Sequence, residues 1–152
     1  MHTRREMLSR SARVAAMLAA AGLLPATAQA AWNTAAFEAK TVNDAIKGFG
    51  GGAPAASAGV TITGPDIAEN GAVVPVGCAT TLAGVTRLMV LVEKNDNPLA
   101  AVFDIGDAVE ANFNVRVKMG QSSNVFAVAQ MADGKVFFAE KEIKVTLGGC
   151  GG

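Results

Sequence analysis

The sequence has no tyrosine, one tryptophan, one histidine and two cysteines in 152 residues. The histidine is His2, inside an N-terminal stretch with the features of a removable leader. A hydrolase or transferase needs a positioned base or nucleophile with a pKa near neutrality, most often a histidine. Beyond residue 30 there is no histidine, and the three serines, Ser57, Ser122 and Ser123, fall in turn-rich stretches beside no activator. A zinc site takes three or four clustered Cys or His ligands, which two distant cysteines do not supply. No phosphate-cradling glycine motif precedes a helix. Asp66 with Glu69, and Asp104 with Asp107, are spaced to pair as carboxylates, but aspartate is also what turns use, and solvated turn residues are the expectation. Classical enzyme chemistry and resident cofactors are therefore not expected.

No apolar run is long enough to cross a membrane as a helix. The longest near the N-terminus is Val14 to Leu24, preceded by the basic segment Thr3-Arg4-Arg5-Glu6-Met7-Leu8 and followed by the small-residue site Ala28-Gln29-Ala30. A charged start, an apolar stretch of about eleven residues and an A-x-A site together read as a signal peptide over residues 1–30. The adjacent arginines and the alanine-rich, moderately apolar core resemble a twin-arginine signal. A chain exported this way folds first, as it must when it binds a cofactor or a second subunit before crossing. Removing four arginines and one glutamate from thirteen basic and thirteen acidic residues leaves nine and twelve, a net charge of about −3. No basic patch suggests nucleic acid or an anionic membrane surface.

What the chain has in quantity is short alternating segments. Phe37, Val42, Ala45, Ile46 and Phe49 recur near helical spacing, so residues 33–49 read as one short helix, ended by Gly50-Gly51-Gly52. The stretch 50–59 reads as a linker, so residues 31–59 form a helix-and-linker segment. From Val60 onward strands are expected at 60–63, 72–78, 85–92, 99–105, 112–119, 125–131 and 135–147, the last as one strand or broken in two. Residues 112–119 alternate polar and apolar without a fault, so one face is wet. The run Leu88-Met89-Val90-Leu91-Val92 is apolar on both faces, which places it in a central strand or at an interface. Seven short strands in 60–147 predict an all-β protein: an immunoglobulin-like antiparallel β-sandwich with a short N-terminal helix and a flexible C-terminal arm.

The two thiols differ. Cys78 stands in an apolar strand, where a buried inert thiol is the ordinary outcome. Cys150 stands in Gly148-Gly149-Cys150-Gly151-Gly152, whose neighbours offer no side chains to shield it. A Cys78–Cys150 disulfide would close a long loop and contribute about 4.4 kcal/mol in the chain-entropy picture. Glycines on both sides of Cys150, however, leave that end unheld. A slender arm reaching about 10 Å past Leu147 suits a thiol that carries a group into other active sites. The alternatives are an exported binding or adhesion module with an interchain disulfide through Cys150, and a thiol redox enzyme, which would lack both the C-x-x-C pair and a nearby cation.

The terminus Val145 to Gly152, "VTLGGCGG", resembles that of the SoxY family of sulfur carriers, as do "IAENGAVVPV" (67–76) and "VLVEKNDNPLAAVF" (90–103). The resemblance covers essentially the whole chain after the leader. It implies a periplasmic, non-enzymatic carrier with no cofactor, in which Cys150 is the covalent sulfur attachment and Gly148, Gly149, Gly151 and Gly152 form the arm. It implies a SoxZ-like β-sandwich subunit as heterodimer partner, exported with the folded chain. It also implies transient docking to a SoxXA-like cytochrome, a SoxB-like hydrolase and a sulfane dehydrogenase; a Cys150-linked homodimer is a further assembly such an arm allows. Cys78 matches no part of the family's functional motif.

Overall fold

The computed structural model describes residues 33–148 together with Met7, Arg13 and Met17. The chain divides into two units, Met1–Trp32 and Asn33–Gly152, and the second carries the fold.

The N-terminal helical segment is two helices, α1 (Thr34–Phe37) and α2 (Val42–Gly48), where one was expected. Thr41 causes the break. It is extended (φ −130, ψ 155), and its Oγ1 accepts from the Asp44 amide at 3.1 Å while donating to the Asp44 carboxylate at 2.7 Å. A β-branched residue with a capping hydroxyl starts a helix better than it continues one. Gly50, at φ 75, ends α2, its amide bonding back to the Lys47 carbonyl.

Nine strands follow: β1 (Pro54–Ala56), β2 (Val60–Thr63), β3 (Ile67–Asn70), β4 (Val74–Thr80), β5 (Val85–Val92), β6 (Leu99–Asp104), β7 (Asn112–Val117), β8 (Ser123–Met131) and β9 (Val136–Leu147). The larger sheet runs β1-β9-β8-β5-β6, with β3 also on β9; the smaller is β2-β4-β7. Pairing is antiparallel throughout the β5–β6, β5–β8, β8–β9, β2–β4 and β4–β7 ladders, as expected of the sandwich. The two strands not anticipated, β1 and β3, lie parallel to β9. Each is short, and among β3's residues only Ala68 is buried, so neither carries a periodicity to read. β9 runs unbroken for twelve residues.

The sheets enclose one core of Val74, Val76, Leu88, Val90, Val125 and Ile143 with their neighbours. At the sandwich edge Phe103 of β6 stacks on Phe113 of β7, centroids 4.1 Å apart, so an aromatic pair joins the two sheets. A second cluster lies on the outer face of the larger sheet, where Ala36, Ala45 and Ile46 cover Met89, Leu91 and Val128. Residues 88–92 are therefore central and covered on both sides, all five with no exposure. The interface alternative for this strand fails, because the helices of the same chain occupy its second face.

Truncating Leu88 to alanine should cost about 2–5 kcal/mol, the range for a fully buried leucine. Urea unfolding checks this, and a loss below about 1 kcal/mol would contradict its burial between the sheets.

Candidate functional site

The end of β9 is anchored before the glycines begin. Ile143 is fully buried. Val145 N–H donates to Ser122 Oγ at 2.9 Å, Thr146 Oγ1 donates to the Glu69 carbonyl at 2.9 Å, and Gly71 N–H donates to the Leu147 carbonyl at 2.7 Å. Parallel pairing of Ala68 with Val145 and of Asn70 with Leu147 closes the free edge. Gly148 then sits so close to Gly120 that a Cβ on it would collide with the Gly120 carbonyl oxygen. The arm is thus rooted against the β7–β8 turn. Of the predicted site residues, Gly148 is placed here; Gly149, Cys150, Gly151 and Gly152 lie outside the described residues.

The remaining candidates take structural roles. Ser122 and Ser123 spend their hydroxyls on backbone: Ser123 Oγ accepts from Lys94 N–H at 3.0 Å, as Ser122 does from Val145. Ser57 Oγ accepts from Gly59 N–H at 3.2 Å. Asp66 pairs with Lys141 at 2.6 Å and Asp104 with Arg87 at 2.7 Å, so the carboxylates meet cations rather than each other. The hydrogen bond and charge of Lys141 hold the Asp66 carboxyl below its usual range. Among the described residues no group of three or more Cys, His, Asp or Glu could hold a metal ion, and no helix is long and apolar enough to cross a membrane.

Cys78 is a free thiol at 2% exposure, on β4 between Ile62 and Phe113. Burial pushes it up from an ordinary 9.0 to about 11, because the thiolate would lose its hydration; a hydrogen bond from the Phe113 backbone opposes this weakly. A thiol so placed is inert near neutral pH.

The feature that sequence reasoning missed is cationic. The β5–β6 and β7–β8 turns enclose a cleft of about 380 Å³ lined by Lys94, Asn95, Asp96, Lys118, Gly120 and Gln121. Gly120 is the residue that Gly148 touches. Two lysines far apart in sequence thus line a cleft beside the point where β9 ends. In sequence Lys118 falls inside the predicted strand 112–119 and Lys94 just after 85–92, and nothing there pairs them.

A family model of the sulfur oxidation protein SoxY matches residues 46–150. The structure is similar to that of the sulfur carrier protein SoxY from Chlorobium limicola f thiosulfatophilum, with 35% identity over 70% of this chain and 97% of that one, and a TM-score of 0.63. It also shares a fold with a superoxide reductase (neelaredoxin) from Ignicoccus hospitalis at 15% identity, covering 57% and 79% of the two chains, TM-score 0.50. A search of curated proteins finds no match. The fold, the family match and the carrier structure together define the class as a sulfur carrier of sulfur oxidation, built on a β-sandwich. The chain belongs to the SoxY family.

Two expectations follow from the placement of Cys78 and Gly148. Because the unfolded chain sheds the Cys78 proton first, the stability from keeping this thiol neutral is complete below pH 9 and lost as pH rises toward about 11. Urea unfolding between pH 8 and 11 should therefore decline more steeply in the wild type than in Cys78→Ala. Gly148→Ala should cost about 1–3 kcal/mol, read by thermal unfolding, because the new methyl meets backbone that cannot swing aside.

Proposed function

We propose that this chain is the covalent carrier of thiosulfate-derived sulfur, holding it on Cys150 and presenting it to successive Sox enzymes. The observation that carries the reading is the hand-over at Leu147: a strand bonded along both edges passes directly into "GGCGG". A fixed root and a side-chain-free tip let one thiol reach several narrow active sites without favouring one docking geometry.

Loading joins Cys150 Sγ to the sulfane sulfur of thiosulfate. Two electrons pass to a SoxXA-like cytochrome and the thiol proton is released, leaving Cys–S–S–SO₃⁻. Water, directed by a SoxB-like hydrolase, then cleaves the S–SO₃ bond. Sulfate departs, and the electron pair stays on the sulfane sulfur as a persulfide, which a sulfane dehydrogenase oxidises where present. The carrier supplies position and a thiol; the partners supply oxidant and hydrolysis.

In this reading residues 1–30 are a twin-arginine leader, the mature chain works in the periplasm, and a SoxZ-like sandwich is its co-exported partner. That partner docks elsewhere than residues 88–92, which the chain's own helices cover. A need to assemble before export accounts for a folded-export signal on a chain that needs no cofactor.

Intact mass and peptide mapping of the chain purified without reductant from thiosulfate-fed cells should find a reducible sulfur adduct on the C-terminal peptide. The adduct should be absent in Cys150→Ser, and the mature chain should begin at Ala31. An unmodified Cys150, or one always bridged to Cys78 or to a second chain, would return the protein to the adhesion-module reading.

A further inference from the structure

β9 leaves its β8 partner before the glycines begin. The last β8–β9 pair is Ser123 with Ile143, so residues 144–147 meet the irregular turn 118–122 on that side instead. The shape of this turn is set from outside, by two other turns. Met119 N–H donates to the Gly71 carbonyl at 2.7 Å, and Gly71 N–H donates to the Leu147 carbonyl at 2.7 Å. From the opposite side, Asn95 clasps the two peptides that flank Met119. Its Nδ2 donates to the Lys118 carbonyl at 2.7 Å, and its Oδ1 accepts from Gly120 N–H at 3.1 Å. Asn95 is itself held, its N–H donating to the Val92 carbonyl at 3.2 Å, while the preceding Lys94 N–H donates to Ser123 Oγ at 3.0 Å. The Met119 side chain is fully buried beneath the clasp.

Gly148 is where this network meets the arm, because its backbone leans on the Gly120 carbonyl. Glycines have no side chains with which to select a direction, so direction must come from the surface they depart from. We propose that Asn95 is a positioning residue that fixes the Gly120 wall and so sets the direction in which the chain leaves Gly148. The proposal rests on the carrier reading and adds to it a residue outside the arm that aims the thiol toward partner enzymes. Gly71 and Asn95 belong to stretches 67–76 and 90–103, which have no other part in carrying sulfur. The residue type fits the task. An asparagine amide places one donor and one acceptor on a short, planar group, whereas the isosteric aspartate would turn an acceptor toward the Lys118 carbonyl. An alanine would leave both peptides of the turn without their side-chain partner.

The test places one nitroxide on Cys150 and a second on Ala83→Cys, an exposed turn position at the other end of the sandwich, while buried Cys78 escapes labelling. Pulsed EPR should give a wider distance distribution with Asn95→Ala than without it. Amide exchange at Met119 and Gly120 should be about tenfold faster in Asn95→Ala, the effect of two lost hydrogen bonds. Asn95→Asp fills the same space and should follow the alanine variant at neutral pH. Leu88→Ala, which weakens the core away from these turns, should leave the distances unchanged. A second readout uses unlabelled chain loaded with tetrathionate, which transfers a sulfonated sulfur to the Cys150 thiolate and releases thiosulfate. For sulfate release by a SoxB-like hydrolase, kcat/KM should fall about tenfold in Asn95→Ala, the scale of a small misplacement of reacting atoms. Dithiothreitol should strip the same adduct equally fast from both chains, since a small thiol needs no particular arm direction. Unchanged distances in Asn95→Ala, wild-type behaviour in Asn95→Asp, or equal widening by Leu88→Ala would overturn the proposal. The two readings fail separately. If the hydrolase releases no sulfate from the loaded wild type, the carrier reading falls and the distances still decide the role of Asn95. If it releases sulfate equally fast from wild type and Asn95→Ala, the carrier reading stands and the positioning role falls.

Discussion

The molecule depends on β9 being hydrogen-bonded on both edges. Along residues 136–143 it pairs with β8, while its other edge takes β1 at the start and β3 at the end. An open edge on this strand would invite pairing with another chain. Two short parallel strands remove that opening at little cost in length. The same arrangement fixes the position of Leu147, and hence where the glycine arm departs. Ile143 anchors this strand in the core between the sheets, so the root shares the stability of the whole sandwich rather than that of a loop.

The two cysteines stand in different settings. The thiol at position 78 is held in an apolar strand and kept protonated by loss of hydration. Nothing comparable surrounds position 150 in the sequence, where glycines replace every packing neighbour. Thiol–disulfide chemistry runs through the thiolate and through access, and Cys78 offers neither.

Much of the sandwich was legible because strong alternation and uninterrupted apolar runs are local signals. Residues 60–63 and 85–92 have the boundaries their patterns predict, and β4 and β6 to β9 shift by only a residue or two. The pieces that were not legible depend on partners distant in sequence. β1, in a stretch that reads as linker, is a strand only because β9 offers it an edge, and the same holds for β3. The single helix became two because a capping hydroxyl at Thr41 outweighed the apolar spacing. The site divides in the same way. Cys150 stands out in sequence by its odd neighbours, whereas the Lys94 and Lys118 cleft exists only once two turns 24 residues apart are folded together.

The parallel β3–β9 pairing has a mechanical consequence. A tip gripped by another protein pulls on β9 along its own axis, and the backbone bonds to β3 and β8 lie across that axis. They are loaded together in shear instead of being unzipped one at a time. The tether can therefore be tugged without peeling the strand from the body, so whatever strain an encounter generates falls on the glycines beyond Leu147.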